Sequence, residues 1–452
     1  MAGSCKRVGD DKEVAEAVWA ETVSQRDAGW IKGPFSAKEL DQKFPEGWIP
    51  SKRFGVVQGT KVRAVDDFSE FLVNAACGTG EQIVLQGLDD VASAAKYMLS
   101  APGKDGNIWV PSAEGKHVCA GPLEASWREA ELGDLQGRAL DLKSAYKQLA
   151  RSPEDDWCSI LAVWSPEMED ICFFESVALP FGAVSAVNAF NRVAKCLRLI
   201  LCRLFLLTNT SFFDDYCQLE FGPLCTSAWK TAETVLALLG WKVAMSEDKR
   251  LPFSKKFSML GAVVDLSNSM EGTVQISNKP SRIEELLAFV GELELGADFT
   301  ENKLQSLRGR LLYAAGNTFG RCTQVAVQAL GRVARKGTSM VLEDEMLACI
   351  QFAVRTLAGS LPRQVKAWKD EWPVLIFTDG ACEEDGVVVT HGAVLCDVTT
   401  GSYFFFGDHV PRSFVEAWTK GGRKQVIYQA ELFPIWIAKV TWKHLLKDRK
   451  SV

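Results

Sequence analysis

The stretch Phe212-Phe213-Asp214-Asp215-Tyr216 constrains this chain more than any other. Two adjacent carboxylates stand between Thr210-Ser211-Phe212-Phe213 and Tyr216-Cys217-Gln218-Leu219, runs that read as short strands, so the expectation is a β-hairpin with the acids at its tip. Such a turn is suited to holding divalent metal. Adjacent aspartates recur at Asp10-Asp11, Asp66-Asp67, Asp89-Asp90 and Asp155-Asp156, so the pair alone decides little. Asp10-Asp11 even follows Gly9, but it sits among Arg7, Lys12 and Glu13 with no apolar strand on either side, as ordinary solvated acids do.

A third acid supplies the missing context. Arg138-Ala139-Leu140-Asp141 reads as a short apolar strand ending on a carboxylate, with a helix starting near Ser144. A strand-end carboxylate and a hairpin-tip carboxylate can share two Mg²⁺ or Mn²⁺ ions, roughly 3.5 to 4 Å apart, which stabilise the attacking and leaving oxygens of an in-line phosphoryl displacement. Magnesium takes hard oxygen ligands and keeps waters and substrate phosphates in its shell, so few protein carboxylates suffice.

The order of elements around these acids resembles the palm of a reverse transcriptase. Asp141-Leu-Lys-Ser-Ala-Tyr146 resembles the first catalytic motif. Leu179-Pro180-Phe181-Gly182, running on through Ser185 and Asn188 to Phe190, resembles the motif that supports template and incoming nucleotide. Phe212-Phe-Asp-Asp215 resembles the second metal motif. Leu239-Gly240-Trp241 followed by Lys249 resembles the next, and Phe257-Ser258-Met259-Leu260-Gly261 resembles the hairpin that grips the primer. Upstream, Lys61-Val62-Arg63-Ala64-Val65-Asp66-Asp67-Phe68 resembles the fingers strand whose basic residues meet the triphosphate, its plainer reading being a solvated hairpin. Gly33-Pro34-Phe35, Gly55-Val56-Val57 and Leu304-Gln-Ser-Leu-Arg-Gly-Arg310 resemble retrotransposons of the DIRS type. One departure is Val187, where the supporting motif commonly has proline; the expectation is a looser turn into the following helix.

The resemblance implies an α+β right-hand polymerase with fingers, an antiparallel palm sheet and a thumb. It implies that Asp141, Asp214 and Asp215 hold the metals, that Lys249 protonates the leaving pyrophosphate, and that Lys61 and Arg63 neutralise the triphosphate. It also implies that Tyr146 lies under the sugar beside Phe181 and Gly182, and that Leu260 and Gly261 touch the primer. The implied partners are an RNA or DNA template with primer and deoxynucleoside triphosphates. An RNA-copying RNA polymerase usually has an acid five residues after the first aspartate, where this chain has Tyr146.

Charge is a complication, because a net −6 runs against the basic footprint of a nucleic-acid enzyme and positive charge has to be local. Between Asn302 and Gly337 there are seven basic residues, Lys303, Arg308, Arg310, Arg321, Arg332, Arg335 and Lys336, and no acid. On a helix starting after Gly320, Arg321, Gln328, Arg332 and Lys336 fall near one face, either a track for duplex phosphates or an ordinary solvated face. Thirteen cysteines without a CxxC pair, and four histidines, argue against a zinc site and a secreted disulfide framework. The N-terminus lacks the apolar core of a signal peptide, and the apolar helix Leu197 to Leu207 contains Arg198 and Arg203. The expectation is an intracellular protein of cytoplasm or nucleus, with no membrane segment and no sign of its oligomeric state.

At 452 residues and 47% hydrophobic, the chain has room for two or three cores. Residues 1–60 read as a lead segment of short helices and turns, 61–265 as fingers and palm, and 266–365 as thumb and connection helices. Within the palm, Trp157 to Trp164 and Ile171 to Leu179 read as strands, and Ser185 as the cap of a long helix. Residues 372–452 read as an incomplete ribonuclease H-like α/β domain: a strand ending on Asp379, strands Gly386 to Cys396 and Ser402 to Gly407, then a helix carrying Glu431. That family's third acid lies on the next strand, which would be starting where the chain stops at Val452; Asp448 sits among Lys447, Arg449 and Lys450. The competing reading is an inactive, domesticated or decaying retroelement remnant that binds nucleic acid without copying it.

Overall fold

The computed structural model describes residues 11–59, 61–78, 80–102, 107–111, 117–123, 125, 134–247, 249–318, 327–328, 330–331, 340–342, 344–367, 373–383, 388–420, 425–447 and 449. They belong to two compact units, Met1–Ala367 and Trp368–Val452. The first unit begins with α1 (Lys12–Asp27), β1 (Ile31–Phe35), α2 (Ala37–Lys43) and the hairpin of β2 (Pro50–Gln58) and β3 (Lys61–Asp67). Next come α3 (Leu88–Ser100), β4 (Asn107–Pro111), β5 (His117–Pro122), β6 (Leu135–Asp141), β7 (Ile160–Ser165) and β8 (Asp170–Ser176). They lead to α4 (Val184–Leu204), β9 (Thr208–Phe212), β10 (Asp215–Phe221), α5 (Cys225–Leu238), β11 (Lys256–Met259), β12 (Ala262–Asp265) and β13 (Thr273–Asn278). The unit closes with α6 (Pro280–Gly291), β14 (Asp298–Phe299), α7 (Glu301–Gly316), β15 (Met340–Val341), α8 (Asp344–Ala358) and β16 (Arg363–Lys366).

A five-stranded sheet runs β1-β8-β7-β2-β3, antiparallel except for the parallel pair of β2 and β7. Residues before 60 therefore do not stay a lead segment of helices and turns. They supply β1, β2 and α1, because Val18, Trp19 and Ile31 share one core with Leu161, Val163 and Phe174 of β7 and β8. Arg53 and Asp66 pin β2 to β3 through two buried contacts of 2.6 and 3.0 Å. So Asp66 is a structural acid.

The second sheet is β6-β10-β9, antiparallel, with β10 in the middle. Alternation along β10 explains its place. Tyr216 faces the helices α4 and α5, while Cys217 and Leu219 face α3 and β11 to β13, so apolar burial holds both sides. Helix α4 presents Ala186, Phe190, Ala194, Leu197 and Leu201 as one buried stripe. The expected Ser185 cap is not formed: Ala183 takes the N-cap position, and Asn74 Oδ1 accepts from the Val184 N–H at 2.9 Å instead. Nor does Val187 loosen the helix entry, since its N–H donates to the Ala183 carbonyl at 3.2 Å, a bond proline would lack. After Asp141 there is only a 3₁₀ turn, Ala145–Gln148, following Ser144 at φ 51°. The expected strand start at Trp157 lies in another 3₁₀ turn, Pro153–Cys158.

The remaining sheets of this unit include β11-β12-β13-β16, and α6, α7 and α8 bury Leu286, Leu304, Leu307, Leu311, Ile350 and Val354 in a core of their own. The second unit is a three-stranded antiparallel sheet, β17 (Val374–Glu383), β18 (Val388–Asp397) and β19 (Ser402–His409), followed by α9 (Arg412–Thr419), α10 (Ile427–Thr441) and α11 (Lys443–Leu446). Here β17 continues past Asp379 to Glu383, so that acid sits inside a strand, not at its end. The whole is mixed α+β, with several antiparallel sheets. No described helix is long and apolar enough to cross a membrane.

Candidate active site

The site is assembled by strand register. Asp215 lies directly opposite Asp141 in the ladder of β10 and β6. Phe212 pairs with Asp215, leaving Phe213 and Asp214 as a two-residue loop. Phe213 has φ 52°, an unusual left-handed backbone for a bulky residue. That conformation sets Asp214 at the turn beside the strand-end pair. The Asp141 strand end is itself tied down: the Ala244 N–H donates to the Asp141 carbonyl at 2.9 Å, and the Lys143 N–H to the Lys242 carbonyl at 2.9 Å. This pairing leads to the Ser246 to Lys249 turn, and the Lys249 ammonium donates to Asp141 Oδ2.

Electrostatics reflects this crowding. Burial pushes the Asp215 carboxyl up to about 6, with the charges of Asp214 and Asp141 adding to it. Asp214 is raised as well, by burial first and then by Asp141. Lys249 is raised by its hydrogen bond to Asp141. Among the described residues, no three His, Cys, Asp or Glu side chains are gathered in a cluster that would hold a metal ion as they stand. The donors are nevertheless all carboxylate oxygens, the chemistry Mg²⁺ takes, and a cation, Lys249, already sits on Asp141.

Beside the acids lies an aromatic floor. Tyr146 stacks on Phe190 at 4.5 Å and 23° and meets Phe181 edge-on at 5.6 Å. Burial, then the charge of Asp214, raise its hydroxyl to about 12, so it stays protonated. Gly182 has φ 108°, and a Cβ there would strike the Asp66 carbonyl, so this turn closes onto the base of β3 only as glycine. Lys61 and Arg63 share the exposed face of β3, five and three residues from that contact, or roughly 17 and 10 Å along the strand. The Leu260-Gly261 turn joins β11 to β12 with φ 48° and 76°, as a two-residue hairpin loop requires.

The basic stretch divides. Arg308 and Arg310 are two apart on α7 and point to opposite sides; Arg308 Nε is buried near Gly331, whereas Arg310 is exposed. Arg321, Arg332 and Lys336 lie outside the described residues. In the second unit, a Cβ on Gly380 would strike the Ala430 backbone, so Asp379 and Glu431 flank a close strand–helix crossing and both are exposed.

Two positioning residues escaped the sequence reading. Gln148 donates to the Lys143 and Lys242 carbonyls at 2.7 and 3.0 Å and accepts from the Lys242 N–H at 2.7 Å, clamping the strand end to the Lys249 segment. Asn74 joins the Gly182 carbonyl to the α4 N-terminus. Each reaches backbone far along the chain, Lys242 for Gln148 and Gly182 for Asn74, which leaves no local pattern.

No family model and no curated protein matches this sequence. Among solved structures, the chain is similar to the foamy viral protease-reverse transcriptase dRH in complex with double-stranded DNA, with a TM-score of 0.54 and 12% identity. The likeness covers 98% of this chain and 62% of that one, so the chain spans less than two thirds of that protein's length. At this identity the likeness is one of fold: the chain has a reverse transcriptase-like fold.

Proposed function

We propose that this protein is an RNA-directed DNA polymerase that extends a primer on an RNA or DNA template with deoxynucleoside triphosphates. One observation supports this above the rest: Asp141 stands opposite Asp215, with Asp214 on the adjoining turn. Asp141, Asp214 and Asp215 would hold Mg²⁺ or Mn²⁺, which when bound activates the primer hydroxyl and neutralises the triphosphate. Lys249, released from Asp141, protonates the departing pyrophosphate. Tyr146, braced by Phe190, lies under the sugar and clashes with a 2′-hydroxyl, while Phe181 and Gly182 shape the nucleotide seat. Lys61 and Arg63, on the exposed face of β3, meet the triphosphate.

The matching assignment of the chain is fingers and palm for 61–265, with β1 and β2 joining the fingers sheet, thumb and connection for 266–365, and a partial ribonuclease H-like domain for 372–452. Origin in a DIRS-type retrotransposon rests on Gly33-Pro34-Phe35 and the Leu304 to Arg310 run, and an intracellular location follows from a template-copying role. The test is primer extension on an RNA template with Mg²⁺ and purified protein: incorporation lost in Asp214→Asn is expected, and none in the unaltered protein would refute the reading. A second reading, a remnant that binds nucleic acid without copying it, is favoured by the Asp141–Lys249 pairing and the lack of a ready three-acid cluster among the described residues. Binding of primed template without extension would select it.

A further inference from the structure

Behind the β11–β12 hairpin, a cleft of about 350 Å³ is lined by Arg282, Glu285, Leu286, Gly309, Arg310 and Tyr313. Its walls are the first turns of α6 and the second half of α7. The Arg282 guanidinium lies 4.3 Å from the centre of the Tyr313 ring, and the Tyr313 hydroxyl donates to the Leu260 carbonyl. On its other side, Arg282 backs the turn so closely that a Cβ on Gly261 would strike its Nη2. A stacked guanidinium spends its face on the ring and keeps in-plane N–H donors for a planar pair of oxygens, as carboxylate or phosphate offers. Neither Arg282 nor Arg310 has an ion pair among the described residues, although Glu285 shares the cleft.

We propose that this cleft seats a backbone phosphate of duplex nucleic acid, with Arg282 as the principal contact and Arg310 as the second. Through Tyr313, the same contact fixes the Leu260-Gly261 turn. An open cleft with two cations and one acid holds a free anion weakly, whereas a phosphate delivered by a bound duplex arrives already positioned. The inference rests on the nucleic-acid reading above but not on chemistry at Asp141.

The experiment is fluorescence anisotropy of a labelled primed duplex against the full chain across a KCl series. Arg282→Ala is expected to lower the salt slope by about one unit and to weaken binding about ten-fold. Arg282→Lys keeps the slope, and Glu285→Gln tightens binding about three-fold by removing a like charge. Tyr313→Phe keeps the slope, since the ring remains, and Gly261→Ala mimics Arg282→Ala. An unchanged slope in a folded Arg282→Ala variant overturns the proposal; if that variant does not fold, weaker binding by Glu285→Gln overturns it. Calorimetric titration of inorganic phosphate provides the control, because saturable Arg282-dependent uptake with no slope change on duplex would reassign the cleft to a small anion. Loss of extension with the slope effects intact would defeat the polymerase reading alone, and absence of duplex binding by the unaltered chain would defeat both.

Discussion

Two acid-bearing strands in this molecule are built on different terms. Strand β10 is the centre of its sheet, with Tyr216 and Cys217 each 1% exposed on opposite faces, and its first residue, Asp215, is set against Asp141 by the ladder. Strand β17 pairs with β18 alone among the described residues, with Asp379 opposite Gly392; Phe377 on the acid's face is 62% exposed, and the other face lies against α10 at Gly380. Acids on a beam held from both faces have a fixed separation. An acid on an edge strand is held by one ladder and one covered face, and an edge also leaves backbone groups unpaired. The comparison makes the first site the place where charge is concentrated and where substitution should register.

The sharpest way to break that contrast is to neutralise an acid of the first site. Asp214→Asn should lower primer extension by about 10³-fold or more, with binding of primed template kept. Extension that survives would remove the distinction between the strands. Next in size, Tyr146→Ala takes away the ring braced by Phe190 and Phe181. The ratio of kcat/KM for deoxy- over ribonucleotides should fall about ten-fold, and an unchanged ratio would move sugar selection elsewhere.

A smaller effect concerns stability. Because burial and two neighbouring acids raise Asp215 to about 6 in the folded chain, the folded state binds this proton more tightly than the unfolded state does. Its stabilising contribution is therefore present at pH 4 and lost as pH rises through 6. In chelator, Asp215→Asn should raise Tm at pH 7.5 but not at pH 4. Because this carboxyl is covered only in part and solvent screens it, the gain is about 1 kcal/mol or less. A lower Tm at pH 7.5 would contradict the crowding of the three acids. The smallest expected effect is none: Asp379→Asn with Glu431→Gln should leave extension unchanged, and hydrolysis of the RNA strand of a hybrid should be absent or very weak before and after. Robust cleavage lost in the double variant would make the two sites equals.

The hairpin at 212–215 and the strand ending at Asp141 were legible because each is a local pattern, a short apolar run interrupted by acid. The same logic misplaced the end of β17, since a Thr-Asp-Gly sequence reads as a turn; what carries the strand through Gly380 is its ladder with β18, where Gly380 pairs with His391. Residues before 60 read as short helices and turns because the partners of β1 and β2 lie far along the chain, Ile31 pairing with Ser176 and Pro50 with Ile160. Asn74 replaced the expected Ser185 cap from more than 100 residues away, and no inspection of the helix sequence finds that.

Register has a consequence for how this chain can vary over generations. Tyr216 is pegged to the Ala194 carbonyl at 3.0 Å and Gln218 to Arg138 at 2.6 Å, so the phase of β10 is locked at two points beyond the acids. A point substitution in the strand alters one contact, whereas losing or gaining a single codon between Asp215 and Gln218 turns every following side chain to the wrong face. Insertions and deletions should thus be purged from this strand far more strictly than replacements, while the edge strand β17, with its exposed face, tolerates both more readily.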